Sequence, residues 1–147
     1  MAESKKLLGR PPLPVVAGVI WAGGELLVQR RGRGHGAGSL EFPGGKLEPG
    51  EQPRVALARE LREEWGEGAK RLVIGRVLEV VRHDYPEPGP DVVVIFFEVR
   101  APADQAWWRS LTPVDGAAIV RLRPEALREE EFLTADQVVA ARLRDGG

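Results

Sequence analysis

The sequence predicts an α/β domain in which helices pack against a mixed β-sheet. Two observations support this class. Short β-rich runs alternate with patterns typical of helices along the 147 residues. In addition, residues 92–97 are almost wholly apolar, so we expect them to form a central strand that is buried on both faces. A chain of this length is expected to have one core, with residues 1–13 as a flexible leader and residues 14–147 as a single domain.

The elements can be placed in order along the chain. Residues 22–24, Ala-Gly-Gly, indicate a hairpin between the first two strands. Pro53 suits the first turn of the following helix, and Gly66 is a natural stop for it. Thr134 is the expected N-cap of a C-terminal amphipathic helix. The predicted strands are residues 15–21, 25–30, 40–43, 71–81, 91–99 and 117–122, and the predicted C-terminal helix covers residues 134–143.

Composition excludes several classes of function. The net charge is −1 at pH 7, whereas a protein that binds a nucleic-acid duplex needs a concentrated basic face. The chain contains no cysteine, which excludes disulfides and cysteine-based zinc sites. No apolar run approaches the length of a membrane span or a secretion signal. We therefore expect a cytoplasmic protein with no membrane contact and no stable nucleic-acid duplex as partner.

The most informative segment is residues 44–66, GGKLEPGEQPRVALARELREEWG. Two glycines, expected to form a tight turn, precede a helix in which three carboxylates share one face because of their i, i+3, i+4 spacing. Oxygen ligands of this kind suit a hard divalent cation such as Mg²⁺. A solvated charged face is the alternative. The carboxylates are Glu60, Glu63 and Glu64, and the apolar stripe expected to pack on the core is Leu57, Ala58, Leu61 and Trp65.

This segment resembles the Nudix box. The resemblance rests on Gly45, Glu51 and the run Arg-Glu-Leu-Arg-Glu-Glu-Trp-Gly at residues 59–66, with the spacing between them. The sequence departs from the pattern at Glu67, where an aliphatic residue is usual, and at Gln52, where many members have a capping Ser or Thr. The resemblance implies an α/β/α sandwich of the Nudix type with a mixed central sheet.

The resemblance also implies which residues act in the site. The metal ligands for Mg²⁺ or Mn²⁺ would be Glu60, Glu63, Glu64 and the carbonyl of Gly44. Arg59 would belong to the catalytic residues as well, and Arg59 and Glu51 would support and orient the metal ligands. Glu63 and Glu64 both remain candidates for the base that accepts a proton from the attacking water.

Residues 40–46, LEFPGGK, extend the resemblance toward MutT-like nucleoside triphosphate pyrophosphohydrolases. By this resemblance Arg31 would contact phosphate, and Phe42 and Asp136 would lie near the base. Each has an alternative: a solvated loop charge for Arg31, a core side chain for Phe42, and a first-turn helix acid for Asp136. An ionised Asp136 would only accept hydrogen bonds, which favours exocyclic amino groups or the additional N–H of an oxidised purine.

The function implied is metal-dependent hydrolysis of a nucleoside triphosphate, such as 8-oxo-dGTP or a cytidine triphosphate, to the monophosphate and pyrophosphate, which sanitises the nucleotide pool. Two alternatives stay open: hydrolysis of another nucleoside diphosphate derivative, and a non-catalytic nucleotide-sensing module. The protein is expected to be a monomer or homodimer. His35 and His83, the latter expected in a turn, are taken as bystanders. Trp107 and Trp108 are expected to pack over the sheet edge and are assigned no site, although stacking on a base is the alternative. Asp115 is a further candidate for a metal ligand by the resemblance.

Overall fold

The computed structural model describes residues 11–104 and 106–146, so the first ten residues of the predicted leader lie outside it. Within these residues no helix is long and apolar enough to cross a membrane. Short 3₁₀ helices connect several of the regular elements. The strands are β1 (Leu13–Ala22), β2 (Glu25–Arg30), β3 (Leu40–Glu41), β4 (Gly44–Lys46), β5 (Val73–Asp84), β6 (Asp91–Arg100) and β7 (Ala118–Leu122), and the α-helices are α1 (Pro53–Trp65) and α2 (Gln137–Arg144).

The strands form one mixed sheet, as predicted. Its main path has the order β3-β2-β1-β6-β5, while β4 pairs with β1 and β7 pairs with β2. The β1–β6 pairing is parallel, and the other pairings are antiparallel. Strand β1 therefore lies at the centre of the sheet. Strand β4, which precedes α1 in the chain, pairs with residues 15–17 in the first half of β1.

Two hydrophobic clusters, one on each face of the sheet, make the sandwich. The cluster under α1 contains Phe97, and the cluster under α2 contains Phe96. These neighbours on β6 are 3% and 0% exposed. The prediction that residues 92–97 form a central strand with both faces covered is confirmed, and so is the α/β/α arrangement.

Most element boundaries agree with the predictions, with three differences. Strand β3 ends at Glu41 because Pro43 cannot donate to a ladder. Strand β5 continues to Asp84, so His83 lies in a strand and its predicted place in a turn is wrong. Thr134 is not the N-cap of α2. It starts a 3₁₀ turn that ends at Asp136, and α2 begins only at Gln137.

The two glycines before α1 form a strand and not the expected turn. Gly44 and Gly45 belong to β4 and pair with Ala17 and Val16. A Cβ at Gly44 would collide with the carbonyl oxygen of Val16, and a Cβ at Gly45 would collide with the carboxylate of Glu60. Glycine is therefore required at position 44, where the backbone of β1 approaches closely, whereas a side chain at position 45 would displace the carboxylate of Glu60.

Helix α1 has the predicted bounds, but its buried face is rotated from the predicted one. Ala56 is fully buried, whereas Ala58 is exposed, so Ala58 was wrongly placed in the stripe. Residues four apart form rows along a helix. Two neighbouring rows face the protein, and the second of them carries two of the three carboxylates. The rows are Leu57, Leu61 and Trp65, and beside them Ala56, Glu60 and Glu64.

Candidate active site

The inner row of α1 brings Glu60 and Glu64 against the glycine strand β4. Glu64 is the more enclosed, and its Oε2 is buried without a hydrogen-bond partner. Burial raises the pKa of Glu64 to about 8, with further contributions from the charges of Glu41 and Glu60. The backbone of Gly44 opposes the shift by hydrogen bonding to the carboxylate. Burial also raises the pKa of Glu60, against the lowering effect of Arg59.

Arg59 ties the outer side of this arrangement together. Its Nε and NH2 donate to the two carboxylate oxygens of Glu51, each at 2.8 Å. Its NH1 donates to Glu60 at 3.0 Å and to Glu63 at 3.2 Å. The hydrogen bonds from Arg59 lower the pKa of Glu51 to about 2. Arg59 and Glu51 are thus placed where the resemblance expects them, and their supporting role stays a prediction.

The three box glutamates are not equivalent. Glu63 belongs to the outermost row of the helix and its side chain is 58% exposed, compared with 16% for Glu60. In the part of the chain that the structure describes, no three acidic or histidine side chains come together as a ready-made metal-binding group. The assignment of Glu60, Glu63, Glu64 and Gly44 as metal ligands therefore stays a prediction.

The residues present nevertheless fit a divalent cation. An unpartnered carboxylate oxygen is buried on Glu64, close enough to Glu41 and Glu60 for their negative charges to raise its pKa. Buried carboxylates that repel one another are stabilised by a cation between them. Hard oxygen donors of this kind are the ligands that Mg²⁺ and Mn²⁺ prefer.

Two cavities adjoin at this end of the sheet. A polar cavity of about 310 Å³ is lined by Glu64, Asp115 and the glycine-containing loop of residues 32–34. A more apolar cavity of about 270 Å³ is lined by Phe42, Asp136 and neighbouring side chains. Arg31 and Glu41 line both cavities, so this pair forms the boundary between them. Helix α1 lies beside the polar cavity, and the 3₁₀ turn before α2 lies beside the apolar one.

Arg31 occupies the boundary through an ion pair. Its NH1 donates to Glu41 Oε1 at 2.9 Å, while its Nε is buried without a hydrogen-bond partner. A buried N–H group without an acceptor is destabilising unless a ligand satisfies it. The solvated-loop alternative is therefore disfavoured, and phosphate contact stays the prediction for Arg31.

Phe42 is a core residue and also lines the apolar cavity. It is 3% exposed and stacks on Phe132 with ring centroids 5.1 Å apart. Its backbone N–H donates to Asp136 Oδ2 at 2.9 Å. The two predictions for Phe42, a core side chain and a residue near the base, are therefore both compatible with its position.

Asp136 points into the protein and is 6% exposed. Its carboxylate accepts a hydrogen bond from the N–H of Phe42. Asp136 also occupies the N-cap position of α2, although its side chain makes no cap hydrogen bond, so the role near the base and the first-turn alternative both stay predictions. Burial raises the pKa of Asp136 to about 8, against the lowering effect of the Phe42 N–H. At neutral pH this shift favours the neutral acid over the ionised form that the sequence led us to expect.

Several residues of these cavities were not identified from the sequence. Tyr85 accepts a hydrogen bond from the N–H of Ala135 and contacts the ring of His35, and both rings line the apolar cavity. His35 is therefore part of this cavity wall. Gln29 and Glu41 form the hydrogen-bonded wall nearest α1. A signal existed only for Gln29, a polar residue inside the apolar run of β2.

The structure also gives the positions of the two tryptophans and of Asp115. Trp107 is buried and donates through Nε1 to the carbonyl of Gly68, which supports the packing interpretation. Trp108 lines a separate cavity with Trp21 and Arg121. Asp115 lines the polar cavity from a turn in which its φ is +56°. A metal-ligand role for Asp115 stays untested.

Comparison with known proteins agrees with this geometry. The chain matches the NUDIX domain over residues 11–144. It is 31% identical over 121 residues to the 8-oxo-dGTP diphosphatase of Escherichia coli (strain K12), covering 82% of this chain and 86% of the relative. It is 41% identical over 85 residues to the CTP pyrophosphohydrolase of the same organism, covering 51% of this chain and 63% of the relative.

The fold has similar solved structures as well. The crystal structure of MutT protein from Methanosarcina mazei Go1 superposes with a TM-score of 0.74 at 23% identity, covering 94% of this chain and 96% of that one. The sequence match spans almost the whole described chain and includes the helix that carries the carboxylates. The chain therefore belongs to the Nudix family and is a MutT-like Nudix hydrolase.

Proposed function

We propose that this enzyme hydrolyses a nucleoside triphosphate, oxidised or otherwise modified, to the monophosphate and pyrophosphate and so sanitises the nucleotide pool. The observation that carries this proposal is the pair of cavities that adjoin at Arg31 and Glu41. One is polar and is lined by Glu64 of the box and by Arg31, as a polyphosphate with its metal ion requires. The other is more apolar and holds one buried carboxyl group, as a base requires. Two relatives with such activities in their names support the choice.

Beside the polar cavity, which Glu64 lines, Glu60 and Glu64 would hold the metal ion, with Glu63 and the Gly44 carbonyl as further ligands. When bound, Mg²⁺ or Mn²⁺ withdraws charge from the phosphate and lowers the pKa of a bound water. Arg31, with its unpartnered Nε, would bind a phosphate oxygen. Glu63 and Glu64 remain the candidates for proton acceptor.

In the apolar cavity, Phe42 would pack against the base and Asp136 would read its edge. Because Asp136 Oδ2 accepts from Phe42 N–H, the proton of the neutral acid belongs on Oδ1. A neutral carboxyl group both donates and accepts, as an amide does. Asp136 can therefore match a carbonyl or ring nitrogen beside an N–H, an arrangement that oxidised guanine and cytosine both offer.

The test is a substrate panel with product analysis. The purified enzyme is incubated with Mg²⁺ or Mn²⁺ and 8-oxo-dGTP, CTP, the common nucleoside triphosphates, a nucleotide sugar and a dinucleoside polyphosphate. We expect monophosphate and pyrophosphate from a triphosphate, with kcat/KM highest for one modified or cytidine substrate. Release of inorganic phosphate alone, or turnover only of a diphosphate derivative, would contradict the proposal. No turnover of any nucleotide would favour a sensing role.

Three further expectations accompany this function. The location would be the cytoplasm, where nucleoside triphosphates are made and used. The enzyme would act as a monomer or homodimer, since one chain supplies both cavities. No nucleic-acid duplex is expected as a partner, because the net charge of −1 provides no excess of basic residues.

A further inference from the structure

We infer that Gln29 is a positioning residue: its side-chain amide holds Glu41, and through Glu41 it fixes Arg31 between the two cavities. This inference rests on the phosphate-binding role proposed for Arg31. It adds a residue that lines the polar cavity but whose amide is already paired at both ends within the protein, and that sets through Arg31 how tightly the triphosphate is bound.

Gln29 is a buried polar residue in an apolar strand. It is 5% exposed, and the preceding residues Leu26, Leu27 and Val28 are fully buried. A buried amide is destabilising unless both of its ends are paired. Here Oε1 accepts from Trp65 Nε1 at 2.7 Å, and Nε2 donates to Glu41 Oε2 at 3.0 Å. Both ends are used.

The orientation of this amide is determined by its partners. An indole nitrogen only donates, and a carboxylate only accepts. The amide oxygen must therefore face Trp65 and the amide nitrogen must face Glu41. Gln29 and Glu41 are also directly opposite each other in the β2–β3 ladder, which places the two side chains on the same face of the sheet.

Glu41 passes this orientation to Arg31. Its second oxygen, Oε1, accepts from Arg31 NH1 at 2.9 Å, and its side chain is 13% exposed. With one oxygen held by Gln29 and the other by Arg31, the carboxylate cannot rotate without breaking a charge-assisted hydrogen bond. Loss of the Gln29 donor would leave one enclosed oxygen unpaired, so the carboxylate would turn and the guanidinium would lose its fixed position.

The chain of contacts begins at the end of the catalytic helix. Trp65 is fully buried and directly follows Glu64. An apolar residue at position 29 would fill the core equally well, but it could not donate a hydrogen bond to Glu41. This difference separates a positioning role from simple packing and defines the controls.

The experiment compares Gln29→Met with Trp65→Phe. Met has a similar volume and adapts to its surroundings, but it removes the donor to Glu41. Phe removes the indole donor and leaves the Gln29–Glu41–Arg31 contacts in place. We expect Gln29→Met to raise KM for the preferred triphosphate about tenfold with kcat changed less than threefold. Trp65→Phe should lower the thermal stability and change KM less than threefold. Equal changes of KM in both variants would overturn the inference.

A double-mutant cycle with Arg31→Ala tests the route. Arg31→Ala should itself raise KM, and adding Gln29→Met should then raise it less than twofold further. An undiminished tenfold effect in the Arg31→Ala background would overturn the inference while leaving the proposed reaction intact. An unchanged KM in Arg31→Ala alone would overturn both the phosphate role of Arg31 and this inference. If Gln29→Met fails to fold, Glu41→Ala interrupts the same route at the cavity wall and should be equally non-additive with Arg31→Ala.

A structural readout is independent of catalysis. In ¹⁵N-labelled protein without nucleotide or metal, Gln29→Met should shift both the Trp65 indole signal and the Arg31 Nε–H signal. Trp65→Phe should leave the Arg31 signal in place. An Arg31 signal that does not move in Gln29→Met would overturn the inference, even if no nucleotide were turned over and the proposed function had failed.

Discussion

Two buried carboxyl groups lie on either side of the Arg31–Glu41 pair, and they differ in what surrounds them. The pKa of Glu64 and the pKa of Asp136 are both raised to about 8. Around Glu64 other carboxylates add to the effect of burial, and one of its oxygens has no partner. Around Asp136 the cavity wall is mainly apolar, and Oδ2 already accepts a hydrogen bond from Phe42. The charge of Glu41 also contributes to the raised pKa of Asp136, after burial.

The comparison shows that a similar pKa can serve opposite tasks. Burial and the neighbouring negative charges disfavour the ionised form of Glu64, so a bound cation would restore it. Asp136 has no comparable need for a cation, and it serves as a neutral donor and acceptor. The same end of the sheet thus offers a site for a metal and phosphates, and a site for a base, separated by one ion pair.

Glu64→Gln should have the largest effect. Removing the charge should lower kcat by about 10²- to 10⁴-fold, the range typical of a lost acid–base group. The fold should persist, because Gln has the same shape and removes repulsion with Glu41 and Glu60. Steady-state kinetics and thermal unfolding measure the two effects.

The matched control is Glu67→Gln, just beyond the end of the same helix. Its side chain is 70% exposed and pairs only with Arg62 among the described residues, so kcat should stay within twofold of wild type. Near wild-type kcat in Glu64→Gln would remove Glu64 from the active site.

Arg59→Lys should have the next largest effect. A lysine cannot reproduce the two parallel bonds to Glu51 while also reaching Glu60 and Glu63. We expect kcat to fall about 10- to 100-fold, in the range found for residues that support metal ligands. The concentration of Mn²⁺ needed for half-maximal activity should rise as well. An unchanged metal requirement would make Arg59 a surface residue without a supporting role.

Local features of the sequence were sufficient for the elements that frame the site. Pro53 and Gly66 mark both ends of α1 because their backbone preferences act within a few residues. The apolar run at residues 92–97 required burial on both faces of a sheet, and β6 lies between β1 and β5. The spacing of Glu60 and Glu64 was sufficient to place them on the same side of α1. It did not indicate how the buried face is rotated or that Glu63 is more exposed.

Contacts between distant residues account for what was missed. Gly44 and Gly45 form a strand because β1 lies against them, which no local glycine preference indicates. Gln29 and Trp65 are 36 positions apart, and Phe42 and Asp136 are 94 positions apart. The raised pKa of Asp136 comes from burial, which outweighs the opposing hydrogen bond from Phe42. Burial of this kind cannot be read from the sequence, which led us to expect the ionised form.

Asp136→Asn sharpens the other side of the comparison. Because the acid is mostly neutral below pH 8, an amide should reproduce its donor and acceptor. We expect the ratio of kcat/KM for 8-oxo-dGTP and CTP to change less than about threefold at pH 6.5. At pH 9 the wild-type ratio should shift as Asp136 ionises, while the variant's ratio stays constant. Using a ratio cancels ionisations that affect both substrates alike. A large change already at pH 6.5 would mean that Asp136 reads the base as an anion.

The smallest effect expected is on stability as a function of pH. Asp136 has a pKa near 8 when folded and near 3.9 when unfolded. Between these values the folded state binds more protons, so the contribution of Asp136 is full below about pH 4 and is lost as pH rises to about 8. Asp136→Asn removes this contribution. The free energy of unfolding of the variant, measured relative to that of wild type, should therefore rise from pH 5 to pH 8, by at most about 1.4 kcal/mol per pH unit. Urea unfolding at pH 5, 6.5 and 8 measures the difference. Asp145→Asn, whose side chain is 67% exposed, should leave the slope unchanged, and an equal slope in Asp136→Asn would mean that Asp136 is ionised in the folded enzyme.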